Sequence, residues 1–99
     1  METEYNKLYD FTGRVIIITG AAGAIGSETA RMFALQGANV VLTDLNEDKV
    51  RAVAAKIQEE SGRETLGLKV DSTSEDALRR MVETVVGRFG KISGLINNV

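Results

Sequence analysis

Four β-branched residues in a row, Val15-Ile16-Ile17-Ile18, break off at Thr19-Gly20. An unbroken run of this kind marks a strand buried on both faces of a parallel sheet. Ile25, Thr29, Met32 and Phe33 then fall at 0, +4, +7 and +8, the spacing of a helical face, and Gly37 stands where a left-handed cap belongs. Asn39 to Thr43 reads as a second buried strand closed by Asp44. From Asn46, a candidate N-cap, the apolar positions Val50, Val53, Ala54 and Ile57 predict a second helix that stops near Ser61-Gly62. Leu66 to Val70 alternates as a third strand and ends at Asp71. Leu78, Met81, Val82, Val85, Val86 and Phe89 carry the longest helical period in the chain, capped at its start by Ser72 (with Glu75) or Ser74 and stopped by Gly90. Ile92 to Ile96 predicts a fourth strand leading into Asn97-Asn98-Val99.

The order β-α-β-α-β-α-β, joined by right-handed crossovers, predicts an α/β fold with a parallel sheet covered by helices on both faces. In a doubly wound, Rossmann-type sheet the strand order is 3-2-1-4, and a fourth strand normally has a fifth beside it. Residues 1–99 therefore read as a partial domain, the N-terminal half of such a sheet. An open apolar edge at the fourth strand favours pairing with further chain, so a homo-oligomer is expected.

Composition narrows the chemistry. The 99 residues contain no Cys and no His, which removes disulfides, thiolate nucleophiles, Cys/His metal sites and every Ser-His-Asp arrangement from within the chain. A net charge of −2 gives no basic footprint for nucleic acid. The acidic start Met-Glu-Thr-Glu lacks a signal peptide's pattern, and no apolar run approaches the ~20 residues of a membrane span, so the cytoplasm is the expected compartment. No metal site is expected.

Between the first strand and first helix lies TGAAGAIG, Thr19 to Gly26. Its glycines, at 20, 23 and 26, do not match G-x-G-x-x-G. A glycine turn at a helix N-terminus nevertheless suits a phosphate, because free N–H groups and a partial positive charge of roughly half a unit face it. Asp44 ends the second strand 18 residues past Gly26, near the ~20-residue offset of a ribose-binding acid. A packing turn and a strand-end Asp would explain each feature separately. Together they point to a dinucleotide site.

With these residues in view, the chain resembles the short-chain dehydrogenases/reductases, whose glycine pattern is T-G-x-x-x-G-x-G. Thr19, Gly20, Ile25 and Gly26 fit it, Phe11-Thr12-Gly13-Arg14-Val15 resembles the lead-in, Asp71 stands at the adenine-contacting acid, and Asn97-Asn98 resembles the start of N-N-A-G. Two positions depart: the middle glycine is Ala24, with Gly23 one position early, and the Ala of N-N-A-G is Val99. An Ala at that middle position costs ~1–2 kcal/mol where a left-handed conformation is needed.

What the resemblance implies is cofactor binding. Main-chain groups around Gly20, Ala22, Gly23 and Ile25 would hold the diphosphate and its ribose, and Gly26 would pack the helix on the strand. Asp44 would take the adenosine ribose hydroxyls, and Leu45 would flank the adenine. Asp71 would accept from the adenine amino group, the Ser72 backbone would contact the ring, and Asn98 would lie beside the ribose. Asp44 would meet a 2′-phosphate as like charge, and neither Gly23 nor Leu45 supplies a basic side chain, so NAD is expected over NADP.

The family's reaction moves hydride between nicotinamide and an alcohol or carbonyl, with a Tyr-x-x-x-Lys pair and a Ser. The only tyrosines are Tyr5 and Tyr9, followed four positions on by Tyr9 and Gly13, so neither starts that motif. Ser27, Ser61, Ser72, Ser74 and Ser93 read as capping or surface residues, and no catalytic residue is assigned. The expectation is the cofactor half of an oxidoreductase, inactive alone. The alternatives are a non-catalytic nucleotide-binding or association module, and a methyltransferase using S-adenosylmethionine. The last usually has an acidic residue before its glycines, where this chain has Thr19-Gly20.

Overall fold

The β-branched run becomes the central strand. In the computed structural model, which describes residues 10–98, β1 (Val15–Ile18) pairs in parallel with β2 (Asn39–Asp44) on one side and β4 (Gly94–Ile96) on the other. β3 (Thr65–Lys69) pairs in parallel with the far side of β2, giving the order β3-β2-β1-β4 that the sequence predicts. The crossovers are α1 (Ala24–Leu35), α2 (Glu47–Ser61) and α3 (Glu75–Phe89). Tyr5, Tyr9 and Val99 lie outside the described residues.

Alternation along the strands divides the core into two layers. Ile16, Ile18, Val40 and Leu42 face one way and pack with Ala30 and Ala34 of α1 and Val50, Ala54 and Ile57 of α2. Val15, Ile17 and Val41 face the other way, where Val70 and the Met81 and Val85 side chains of α3 cover them. Each layer is the physical consequence of period 2 in the strands meeting period 3.6 in the helices. With no edge left at β1, its four residues are all buried, as their continuous apolar run requires.

Local chemistry sets the ends of α2 and α3. Asn46 Oδ1 accepts from Lys49 N–H and Ser74 Oγ from Ala77 N–H, both at 3.1 Å, so Ser74 rather than Ser72 is the cap of α3. Both helices stop on left-handed glycines, Gly62 at φ 73° and Gly90 at φ 81°. β3 begins one residue earlier than its alternation predicts. β4 starts at Gly94 rather than Ile92, after Ser93 Oγ has accepted from Val15 N–H at 3.0 Å.

One expectation is corrected. The predicted face of α1, Ile25-Thr29-Met32-Phe33, is not the buried one: Gly26, Ala30 and Ala34 are buried, whereas Ile25 and Met32 are 73% and 62% exposed. The cause is steric. A Cβ on Gly26 would stand 2.5 Å from Gly20 O and 2.9 Å from Ala21 Cα, so the helix lies too close to the turn for a large residue on that face. Hydrophobic periodicity follows large side chains, and here contact distance selected small ones. Phe33 alone of the large residues stays packed, edge-on to Phe11 with ring centroids 5.1 Å apart.

Candidate functional site

The carboxyl ends of β1, β2 and β3 open onto one side, and the turns that follow them hold most of the residues singled out from the sequence. The glycine-rich turn leaves β1 through Gly20, whose φ of 61° only glycine adopts at low cost. Ala21 N–H then donates to Thr43 O and Ala22 N–H to Asp44 Oδ2, both at 3.0 Å, so the turn is fastened to the end of β2.

Gly23 is the N-cap residue of α1, with φ −80° and ψ 170°, and no side chain caps this helix. Its first turn contains no acidic residue, whereas α2 and α3 each have a side-chain cap and two acids there. Of the three described helices, α1 is therefore the one whose leading N–H groups have neither a side-chain cap nor a first-turn acid. A Cβ on Gly23 would meet nothing closer than Gly20 O at 3.8 Å, so the backbone does not demand glycine there. Ala24 opens the helix, and among the described residues no non-glycine residue has positive φ. The left-handed penalty considered for Ala24 does not arise. Ile25 contributes main chain to this first turn while its side chain points to solvent.

Asp44 Oδ1 accepts from Asn46 N–H at 3.1 Å, placing one backbone donor on each carboxylate oxygen. Asp71 Oδ1 accepts from both the backbone N–H and the hydroxyl of Thr73, at 2.9 and 2.6 Å. The Thr73 hydroxyl, and after it the Thr73 N–H, hold the Asp71 carboxyl below its ordinary value of 3.8. Asp44 and Asp71 border a cleft of about 260 Å³ lined also by Gly20, Leu45, Val70, Ser72 and Thr73. Leu45 and Val70 give it apolar walls between two carboxylates.

Asn98 reaches the same end of the sheet from β4. Its backbone N–H donates to Thr19 Oγ1 at 3.0 Å and its side-chain Nδ2 to Gly20 O at 3.4 Å. Gly20, Ala22, Gly23, Ile25, Gly26, Asp44 and Asn98 thus share one turn and its supports, and Asp44, Leu45, Asp71 and Ser72 share the adjoining cleft. Sequence reasoning missed Thr73 and Val70. The signal for Thr73 was present: Asp71-Ser72-Thr73 repeats the spacing of Asp10-Phe11-Thr12, where Thr12 N–H and Oγ1 both donate to Asp10 Oδ1.

A second groove, about 230 Å³ between α1 and α2, holds none of the predicted residues. Arg31, one of its lining residues, is already paired with Glu28 at 3.1 Å and Glu60 at 3.3 Å. Among the described residues no helix is long and apolar enough to cross a membrane.

Comparison with known proteins adds to this geometry. The family model described as short chain dehydrogenase matches residues 14–99. The 7alpha-hydroxysteroid dehydrogenase of Escherichia coli is 38% identical over 86 residues, covering 87% of this chain and 33% of the relative. The structure of L-sorbose reductase from Gluconobacter frateurii, complexed with NADPH and L-sorbose, superposes with a TM-score of 0.88 at 32% identity, covering 92% of this chain and 35% of that one. NAD+-bound xylitol dehydrogenase superposes with a TM-score of 0.81 at 39% identity, covering 86% and 32%. The chain spans about a third of the length of the curated relatives it matches.

Proposed function

Given that the chain belongs to the short-chain dehydrogenase/reductase family, we propose that residues 1–99 form the NAD-binding part of an oxidoreductase acting on an alcohol or carbonyl substrate. The observation that carries this reading is the uncapped N-terminus of α1 beside the Asp44 carboxylate, linked through Ala22 N–H at 3.0 Å. An anion on that helix end and a hydroxyl-bearing sugar on that carboxylate are what a dinucleotide brings.

The residues divide the binding. The N–H groups that open α1, with main chain of Gly20, Ala22, Gly23 and Ile25, orient the diphosphate and its ribose by charge and hydrogen bonding. Gly26 keeps the helix close enough to do so. Asp44 receives the adenosine ribose hydroxyls, at about 1.5–3 kcal/mol for each charged hydrogen bond. Leu45 and Val70 exclude water from the adenine faces, Asp71 accepts from its amino group, and Ser72 main chain meets the ring edge. Asn98 stands beside the ribose. The bound nicotinamide supplies the hydride acceptor or donor.

NAD is proposed over NADP because a 2′-phosphate would face the Asp44 charge with no cation at Gly23 or Leu45 to offset it. The Ser and Tyr-x-x-x-Lys of the reaction are proposed to come from polypeptide other than these 99 residues, in a cytoplasmic, homo-oligomeric enzyme. The alternative reading is a non-catalytic nucleotide-binding or association module.

Fluorescence titration with NADH and NADPH tests the proposal. Tighter binding of NADH by about tenfold, equivalent to about 1.4 kcal/mol, supports it. Equal or tighter NADPH binding overturns the NAD assignment, and no binding of either at millimolar concentration overturns the cofactor site.

A further inference from the structure

Asp44 joins three parts of the fold at one point. Its Oδ2 accepts from Ala22 N–H in the glycine-rich turn at 3.0 Å, its Oδ1 from Asn46 N–H ahead of α2 at 3.1 Å, and its main-chain oxygen from Val70 N–H after β3 at 3.0 Å. One residue earlier, Thr43 O accepts from Ala21 N–H at 3.0 Å. Two consecutive N–H groups of the turn are therefore strapped to the end of β2, the first by main chain and the second by a charged side chain.

A carboxylate offers about four acceptor positions, two on each oxygen. The two backbone donors leave one position free on each oxygen, enough for two ribose hydroxyls without breaking either existing bond. Ala22 is 7% exposed and belongs to the same core layer as Ile18 and Ala21. Its N–H has no other side-chain acceptor among the described residues. Removing the carboxylate would strand a part-buried donor at the foot of the turn that leads into the free N–H groups of α1.

We infer that Asp44, resting on the proposed reading of the cleft, is also a positioning residue for the diphosphate: its Oδ2 bond to Ala22 N–H holds the turn at the height from which α1 meets phosphate. The adenosine ribose and the diphosphate are then coupled through one side chain. Asp44→Asn keeps the size of the residue but removes its charge, so Ala22 N–H is left with a weaker, neutral amide oxygen or, where that oxygen turns to Asn46 N–H, with no side-chain acceptor at all.

The test uses a cofactor analogue whose adenosine ribose lacks both hydroxyls, 2′,3′-dideoxy-NADH. A residue that touched only those hydroxyls would leave wild type and Asp44→Asn equal toward this analogue. The positioning role predicts about tenfold weaker binding by Asp44→Asn, the scale of one charged hydrogen bond. Equal affinity overturns the inference.

Two spectroscopic arms on the free chain keep it testable apart from the cofactor reading. In wild type a through-hydrogen-bond coupling joins the Ala22 nitrogen to the Asp44 carboxylate carbon. In Asp44→Asn the Ala22 amide proton moves upfield and exchanges faster, while the Ala77 amide, capped by Ser74, is unchanged. Absence of the coupling, or an Ala22 amide unmoved by the substitution, overturns the strap even if NADH binds. Failure of wild type to bind NADH overturns the function proposed above and leaves the amide measurements to decide the strap.

Discussion

Thr19 Oγ1 donates to Asn97 Oδ1 at 2.8 Å and accepts from Asn98 N–H at 3.0 Å, so one hydroxyl closes the end of β1 onto the end of β4. Thr19 is 4% exposed, and both bonds bridge positions more than 75 residues apart. Thr19→Val keeps the shape and strands both partners, and should cost about 1–3 kcal/mol. Thr19→Ser keeps the hydroxyl and should retain most of the stability. Urea denaturation of the two variants measures the difference, and a Val variant within about 0.5 kcal/mol of wild type would show the joint to be energetically idle.

The two glycines flanking the start of α1 should respond in opposite ways. Gly26→Ala places a methyl against backbone atoms at 2.5 and 2.9 Å, a clash relieved only by moving the helix, and should destabilise by about 1–3 kcal/mol. Gly23→Ala meets nothing nearer than 3.8 Å and should alter stability by less than about 0.5 kcal/mol. On the proposed function its methyl stands over the uncapped helix end, so NADH affinity should fall. Thermal unfolding beside NADH titration separates these effects, and a Gly23→Ala protein that binds normally would show that phosphate does not approach there.

Small residues, not large ones, hold α1 to the sheet. Ala30→Leu forces three added carbons into a fully buried contact and should cost about 1–3 kcal/mol or more. Met32→Gln changes an exposed position and should stay within about 0.5 kcal/mol. The reverse ranking in chemical denaturation would restore the helical face read from periodicity.

Asp71 titrates below its ordinary 3.8 because Thr73 donates to its ionised form. A folded-state pKa lowered in this way stabilises the fold above the unfolded value, and that contribution is lost as pH falls through the lowered pKa. Thr73→Val removes the larger cause, so the Asp71 carboxyl should titrate closer to 3.8 while the backbone donor still holds it somewhat low. Carbon-detected NMR titration of the side chain reads this directly. No upward movement in the variant would mean that the hydroxyl does not set the carboxyl's acidity.

The order of elements was legible because each signal is local. Val15 to Ile18 announces a buried parallel strand by composition alone, Asn46 and Gly62 bracket α2 by cap chemistry, and Leu78 to Phe89 repeats for three turns. Right-handed crossovers then leave little freedom in the sheet, and the order β3-β2-β1-β4 follows. Asp44 and Asp71 were visible at the ends of their strands because strand ends in a parallel sheet share one side.

What the residues alone determined is the α/β frame and the family, since spacing along the chain encodes periodicity, capping and motif order. The tertiary structure decided everything that depends on distance between segments remote in sequence. It chose Gly26, Ala30 and Ala34 over Ile25 and Met32 because α1 lies against the turn, relieved Ala24 of strain by starting the helix there, and gave the Thr19 hydroxyl and the Asp44 carboxylate their partners. Those contacts depend on register and approach across the sheet, and a few tenths of an ångström in that approach has no trace in a linear pattern.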